Sequence, residues 1–184
     1  MATRVTMDRF VDELQDLARS GFAPDTVHDY MARTLIDEAS LERFISYRDD
    51  RYTRNLIVKN DAFELLVICW NVGQSAPIHG HEGEHCWARV ERGTLRFSNY
   101  RVDQEQPLAV TKLATLDGCA GHLDGPAEVH AVENCTEFAT PSASLHLYSK
   151  PFDECDIYDL ERRAIRRVAL AYDTVGGQPS DLAI

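Results

Sequence analysis

Two histidines separated by one residue, His79 and His81 in SAPIHGHEGEH, are the clearest chemical feature of this 184-residue chain. Residues i and i+2 of a β-strand point to the same face, so both imidazoles are expected to project together. Neutral imidazole is the commonest nitrogen ligand of first-row transition metals. The pair therefore indicates either two metal ligands or two solvated rings in a surface turn.

The wider spacing around this pair resembles the first motif of the cupin barrel, with Cys86 in place of the motif's Glu. Five, one, four and six residues separate its positions, which are Gly73, His79, His81, Cys86 and Gly93. The second cupin motif ends in a His and an Asn with three residues between them, and His130 and Asn134 have this spacing. A third His on another strand can complete a three-nitrogen face, so we predict a metal site formed by His79, His81 and His130. Three other histidines, His28, His85 and His122, are predicted to have surface or structural roles.

Three neutral imidazoles would leave a divalent ion with its full charge and with open coordination positions. Such a site favours an anionic incoming ligand, for example a thiolate or a carboxylate. A site with neither a carboxylate nor a thiolate from the protein also differs from a closed structural zinc site. The histidines therefore indicate a site for chemistry rather than a structural metal.

Ser144, His146 and Tyr148 alternate in SASLHLYS, so they face the same way if this segment is a strand. A row of hydroxyl, imidazole and phenol can relay a proton or orient an oxygen ligand. The same pattern also fits the polar outward face of an edge strand. Further upstream, the fork of Arg54 in YTRNL matches a carboxylate bidentately, although a single Arg near a Tyr is commonly a surface residue.

Five cysteines, an odd number with no Cys-x-x-Cys pair, make a disulfide framework improbable. We expect reduced and mostly buried thiols, with Cys86 as the one candidate for a chemical role. The other positions are Cys69, Cys119, Cys135 and Cys155.

The elements that must position these residues change in character near residue 50. Apolar residues recur at helical spacing in TMDRFVDELQDLA, with Thr6 or Asp8 as the cap, and again after Pro24. A short third helix is predicted around residues 41–45. Short runs rich in Val, Ile, Leu and aromatics then follow, separated by turn residues, and predict an antiparallel sandwich or barrel. In the C-terminal stretch, alternation at Val168, Leu170 and Tyr172 favours a strand over a helix.

The composition excludes several classes of protein. Nineteen basic and thirty acidic side chains give a formal charge of −11, which disfavours binding to nucleic acid. No apolar run is long enough to span a bilayer, and MATRVTMDRFVDEL has no apolar signal region, so a cytoplasmic protein is expected. We predict a mainly β, single-domain cupin (a double-stranded β-helix or jelly-roll barrel) over residues 1–184, with a helical segment at about 1–48 and the barrel at about 50–175.

Five segments in unbroken order make the chain resemble the cysteine dioxygenases over about residues 50 to 160. They are YTRNL (52–56), ICWNVG (68–73), IHGHEGEHC (78–86), HAVEN (130–134) and SLHLYS-x-PFDEC (144–155). The resemblance implies a small monomeric cupin that holds one Fe(II) through His79, His81 and His130. Such an enzyme oxidises L-cysteine with O₂ to cysteine sulfinate.

The same resemblance implies roles for the other candidate residues. Substrate cysteine would bind the iron through its thiolate and amine, while Arg54 and Tyr52 hold its carboxylate. Tyr148 would stand near the sulfur and O₂, with His146 and Ser144 as its hydrogen-bonded support. In animal-type members, a cysteine at the place of Cys86 forms a thioether with the tyrosine at the place of Tyr148, so we predict that this crosslink can form.

Two features leave alternatives open. Lys150 stands where the family typically has the first proline of Ser-Pro-Pro, and a cis bond there would be a costly non-proline one, so the conformation of the backbone near Tyr148 stays open. The substrate could also be a different small thiol such as 3-mercaptopropionate, although relatives with that substrate usually carry Gln at the position of Arg54. A more distant alternative is a non-catalytic cupin that binds a metal or a small ligand.

Overall fold

The computed structural model describes residues 2–125 and 128–180, so residues 1, 126–127 and 181–184 of the predicted domain lie outside the described part. The α-helices are α1 (Met7–Arg19), α2 (Pro24–Arg33) and α3 (Glu38–Glu42), and a 3-10 helix spans Thr136–Phe138. The strands of the first half are β1 (Thr3–Val5), β2 (Thr34–Ile36), β3 (Thr53–Lys59), β4 (Glu64–Trp70), β5 (Cys86–Arg92) and β6 (Thr94–Glu105). The strands of the second half are β7 (Leu108–Cys119), β8 (Leu123–Asp124), β9 (His130–Glu133), β10 (Ser142–Tyr148), β11 (Glu154–Asp159), β12 (Ala164–Ala169), β13 (Thr174–Val175) and β14 (Gln178–Pro179).

Side-chain caps determine where the N-terminal helices begin. The Thr6 hydroxyl accepts a hydrogen bond from the backbone N–H of Arg9 at 3.3 Å, so the predicted cap of α1 is confirmed. The predicted third helix is present, but it spans Glu38–Glu42 rather than 41–45. Asp37 accepts a hydrogen bond from the backbone N–H of Ser40 at 2.9 Å and starts α3 three residues earlier. The lead-in also contains the short parallel pair β1–β2, which the sequence reading missed.

Seven strands form the larger sheet, in the order β14-β13-β3-β4-β10-β5-β8. Adjacent strands in this sheet run antiparallel to each other, except that β13 and β3 are parallel. Strand β10 lies between β4 and β5, so the residues of SASLHLYS have bonded strands on both sides. The predicted strand of the C-terminal stretch is confirmed in part: β12 includes Val168, but it ends at Ala169, before Leu170 and Tyr172.

The second layer contains the three-stranded sheet β7-β6-β9 and the hairpin β11-β12. Isolated bridges connect them, because residues 75–79 pair with β9 at Ser75 and His79, and His79 also pairs with Ile157 of β11. The two layers enclose a shared interior, and this arrangement is the double-stranded β-helix of the cupin fold. The predicted fold class, mainly β with short N-terminal helices, is confirmed.

The larger sheet buries both of its faces. Along β4, Leu65, Val67 and Cys69 pack with α1 and α2 in one core cluster, whereas Leu66, Ile68 and Trp70 belong to a second cluster. That second cluster also contains Leu95, Phe97 and Val132 of the opposite layer, and therefore forms the interior of the barrel. The two-residue period of a strand thus separates a helix-facing side from a site-facing side.

Other features of the chain bear on the expectations from sequence. Cysteines 69, 86, 135 and 155 are buried free thiols, as expected, but Cys119 is exposed at the end of β7. Among the described residues, Gln106–Pro107 is the cis peptide bond, so the bonds on both sides of Lys150 are trans. Within the same part of the chain, no helix has the length and apolar character needed to cross a membrane.

Candidate metal centre and substrate cavity

His79, His81 and His130 converge at one end of the barrel interior. Each can offer a ring nitrogen, and these atoms lie within 4.8 Å of one another. The ring centroids are 4.7 to 5.1 Å apart. His81 and His130 are buried, and His79 is partly buried. The predicted three-nitrogen cluster is therefore present in the structure.

The local backbone that brings the cluster together differs from the strand assumed in the sequence analysis. His79 lies in an irregular segment, and reciprocal backbone hydrogen bonds of 2.9 and 3.1 Å join it to His130 on β9. These two bonds hold the two residues opposite each other. His81 follows after Gly80, where an added Cβ would come within 3.3 Å of the Tyr158 hydroxyl. A tight loop, rather than a regular strand, thus positions His79 and His81.

The imidazoles are in a form that can bind a metal ion. The Nδ1 of His79 lies 2.9 Å from the Pro77 carbonyl oxygen, which can only accept, so Nδ1 carries the proton and Nε2 has a free lone pair. Burial, with a smaller contribution from His130, lowers the pKa of His79 to about 3, so the ring is neutral. The Nε2 of His130 is buried without a hydrogen-bond partner, and its Nδ1 lies 3.9 Å from the Asp124 carboxylate. A three-imidazole face of this kind fits a divalent transition metal.

Ser144, His146 and Tyr148 are buried on the central strand β10, so the alternative of an outward-facing edge strand is wrong. The indole N–H of Trp70 donates to Ser144 Oγ at 3.0 Å, and Ser144 Oγ lies 2.8 Å from His146 Nε2. Because the Trp70 bond uses Ser144 as an acceptor, the serine proton is available to donate to His146. Burial, followed by the nearby His130, lowers the pKa of His146 well below its usual value and keeps its ring neutral.

Tyr148 and Cys86 face each other across β10 and β5 as directly paired residues. Burial is the main cause that raises the pKa of both groups, so both are protonated at neutral pH. The structure therefore brings together the two residues of the predicted crosslink, in their neutral forms.

Arg54 extends from β3 toward the same interior, with a side chain that is only 11% exposed. Its Nη2 donates to the Glu64 carboxylate at 3.3 Å. Tyr52 stacks on Trp70 with a centroid distance of 4.7 Å. Glu64 was missed in the sequence analysis, although a carboxylate at the start of the buried run ELLVICW is a signal that could have identified it.

A cavity of about 260 Å³ joins these groups. Its walls include Arg54, Tyr52, His79, His146 and Tyr148, together with Phe152 and Cys155, which the sequence analysis did not assign to the site. A metal-ligand candidate, a guanidinium and a phenol thus border one small space. This arrangement can hold a molecule of a few heavy atoms that presents a metal-binding group at one end and an anion at the other.

Comparison with known proteins supplies a family for this arrangement. Residues 2–161 match the family described as cysteine dioxygenase type I. The cysteine dioxygenase type 1 of Homo sapiens is 26% identical over 95% of this chain and 92% of its own length, and that of Rattus norvegicus is 27% identical over the same shares. A solved Klebsiella pneumoniae structure with a double-stranded β-helix domain is 17% identical, with a TM-score of 0.45, over 60% of this chain and 81% of that chain.

Proposed function

Because the chain belongs to the cysteine dioxygenase type I family, we propose that it oxidises L-cysteine with O₂ to L-cysteine sulfinate. The observation that carries this proposal is the single cavity bordered by His79, Arg54 and Tyr148. These are a metal-ligand candidate, a carboxylate-binding candidate and a hydrogen-bond donor. A small amino acid with a thiol has groups that match all three.

Fe(II) is the proposed cofactor, one per chain, with His79, His81 and His130 as its ligands. When bound, it would supply open coordination positions and one-electron chemistry for a thiol and O₂. The three imidazoles add no negative charge, so the thiolate of the substrate would be the main anionic partner in the site. The reaction R–SH + O₂ → R–SO₂H places both oxygen atoms on sulfur and needs no further reductant.

Arg54 and Tyr52 are the proposed contacts of the substrate carboxylate. The guanidinium lines the cavity while its Nη2 is held by Glu64, and its Nε is buried without a hydrogen-bond partner. This leaves donors that can meet a carboxylate.

Tyr148 is proposed to hold a proton at its hydroxyl oxygen, close to the reacting sulfur and oxygen atoms. His146 and Ser144 stand behind it on the same strand, and the bond of Ser144 to His146 fixes the imidazole. A thioether between Cys86 and Tyr148 is proposed as a protein-derived cofactor. It would restrict the rotation of the phenol and so keep the hydroxyl pointing at the substrate.

The decisive test combines metal analysis with oxygen consumption on L-cysteine and on 3-mercaptopropionate. The proposal predicts iron-dependent O₂ uptake with a higher kcat/KM for L-cysteine, and a sulfinate product identified by mass spectrometry. A higher kcat/KM for 3-mercaptopropionate would assign the enzyme to that substrate instead. Iron binding without O₂ uptake on either thiol would identify a non-catalytic metal-binding cupin.

We also propose that residues 1–184 form one domain that acts as a monomer in the cytoplasm. The acidic charge and the buried free thiols support a protein of a reducing compartment. Size-exclusion chromatography with light scattering would test the oligomeric state, and a dimer would contradict this part of the proposal.

A further inference from the structure

Glu64 is a fully buried carboxylate directly behind the proposed substrate site. It begins β4, has no solvent exposure, and pairs across the sheet with Tyr148 of β10 and Lys59 of β3. Its Oε1 accepts the hydrogen bond from Arg54 at 3.3 Å. Glu64 does not line the cavity, so it reaches the substrate only through Arg54.

The pairing of Glu64 with Arg54 changes the charge available to a ligand. One guanidinium and one carboxylate give a subsite with no net charge before any substrate arrives. A bound carboxylate would add a second anion that shares the same cation in a region removed from water. Like charges in such a position oppose each other strongly, and the conflict ends when one of the two carboxylates takes up a proton.

Glu64 is the carboxylate better suited to accept that proton. Burial is the largest influence on Glu64 and raises its pKa above the usual value even before a second anion is present. The substrate carboxylate would face the remaining donors of Arg54, which favour its ionised form. The charged or titratable groups around Glu64 are Arg54, Lys59, Tyr148, Tyr172 and Asp153.

We propose that Glu64 is a specificity-determining residue, which weakens the hold of Arg54 on carboxylate-bearing thiols and takes up a proton when such a thiol binds. This inference rests on the proposed function, because it assumes that the substrate carboxylate meets Arg54. A thiol that has an amine and no carboxylate would bind without the added anion. The site would therefore couple proton uptake to the chemical class of its ligand.

Steady-state oxygen consumption on L-cysteine and cysteamine provides the first test, with Glu64→Gln as the variant. The amide keeps an oxygen that can accept from Arg54 but removes the negative charge. We expect the KM for L-cysteine to fall on the order of tenfold, with little change in kcat and no change in the KM for cysteamine. The ratio of wild-type to variant KM should increase with pH, since protons for Glu64 become scarcer.

The matched control is Glu42→Gln, which breaks the ion pair of 2.5 Å with Arg92 on the surface. This variant should keep the wild-type KM for both thiols. A KM for L-cysteine that is unchanged or raised in Glu64→Gln would overturn the inference. An equal change for cysteamine would do so as well, because the effect would then not depend on a carboxylate.

Anaerobic calorimetry of the iron(II)-loaded protein in buffers of different ionisation enthalpy counts protons without reliance on turnover. Wild-type protein should take up about one proton more with L-cysteine than with cysteamine, and this difference should disappear in Glu64→Gln. The wild-type comparison decides the matter even if the variant does not fold, since equal proton counts for the two thiols would overturn the inference. Binding of L-cysteine without oxidation would refute the proposed function alone.

Discussion

Tyr148 and Cys86 stand directly opposite each other on the antiparallel strands β10 and β5, at the end of the barrel that holds the three histidines. Opposed residues on such strands have Cβ atoms about 5 Å apart, close enough for a thioether bridge between a thiol and a phenol ring. His81 lies beside the same tyrosine, with ring centroids 5.6 Å apart. The sheet register therefore places the two reactive groups together next to the candidate metal ligands.

We predict that a thioether forms between Cys86 and Tyr148 during turnover with iron, L-cysteine and O₂. An S–C bond would replace one S–H and one ring C–H bond, with O₂ as the electron acceptor, so the protein loses two hydrogen atoms. Intact mass spectrometry should show this loss, together with a faster-migrating gel band. Cys86→Ala should show neither change, whereas Cys119→Ala, at an exposed thiol, should show both. Wild-type protein of unaltered mass after many turnovers would contradict the prediction.

His81→Ala should abolish both iron binding and oxygen uptake, because removal of one of three ligands leaves two imidazoles to hold the ion. Iron content after gel filtration and oxygen consumption on L-cysteine measure the two effects, with circular dichroism to confirm folding. The control is His85→Ala, at an exposed imidazole four residues away that is outside the cluster. Full activity in His81→Ala would exclude the proposed metal mechanism.

The sequence was most informative where a local pattern alone decides the structure. The buried strand β4 is recognisable because apolar residues fill both of its faces after Glu64, and the spacing of His79, His81 and His130 follows a known motif. It was least informative where distant segments decide the outcome. The strand pair of Thr3–Val5 and Thr34–Ile36 is only three residues long and joins parts of the chain separated by two helices. The position of Cys155 in the cavity wall likewise depends on how the segment after β10 folds over the cavity.

Glu64 illustrates a further limit of reading the sequence. Its position in an apolar run signals an unusual carboxylate, but its partner lies on another strand. In the sheet register, Arg54 is opposite Ile68, which is four residues from Glu64 on β4. The hydrogen bond between Arg54 and Glu64 therefore forms because the arginine side chain extends along β4 toward Glu64. Only the folded arrangement shows that the arginine predicted to bind substrate is already paired.

Gly93→Ala should be strongly destabilising, because the turn between β5 and β6 needs this residue to be glycine. Its φ is +71°, and an added Cβ would lie 2.8 Å from the Pro141 carbonyl oxygen and still closer to Ser142 Oγ. We expect a loss of at least about 3 kcal/mol in the free energy of unfolding. Gly83 is a matched control, since its φ is +77° but nothing lies within 4 Å of its added Cβ. Gly83→Ala should lose only about 1 kcal/mol, and equal losses in urea unfolding would refute the steric argument.

Arg54→Gln should destabilise the fold by about 3 kcal/mol at pH 7, because it leaves Glu64 as a buried charge without a cation. Adding Glu64→Gln should restore most of that loss, since two neutral amides can share a hydrogen bond. Burial already raises the pKa of Glu64, and loss of Arg54 would raise it further. A carboxyl with a raised pKa in the folded state is protonated at low pH, so the deficit of Arg54→Gln should be smallest near pH 4.5 and should grow as the pH rises.

Urea unfolding of the single and double variants at several pH values measures this coupling. The surface pair of Arg92 and Glu42 serves as the comparison, because the exposed Glu42 side chain limits its coupling to under about 1 kcal/mol. A coupling between Arg54 and Glu64 no larger than that of the surface pair would show that the buried carboxylate does not depend on the arginine. The structure predicts the opposite, since Arg54 donates the hydrogen bond that Glu64 accepts in a fully buried position.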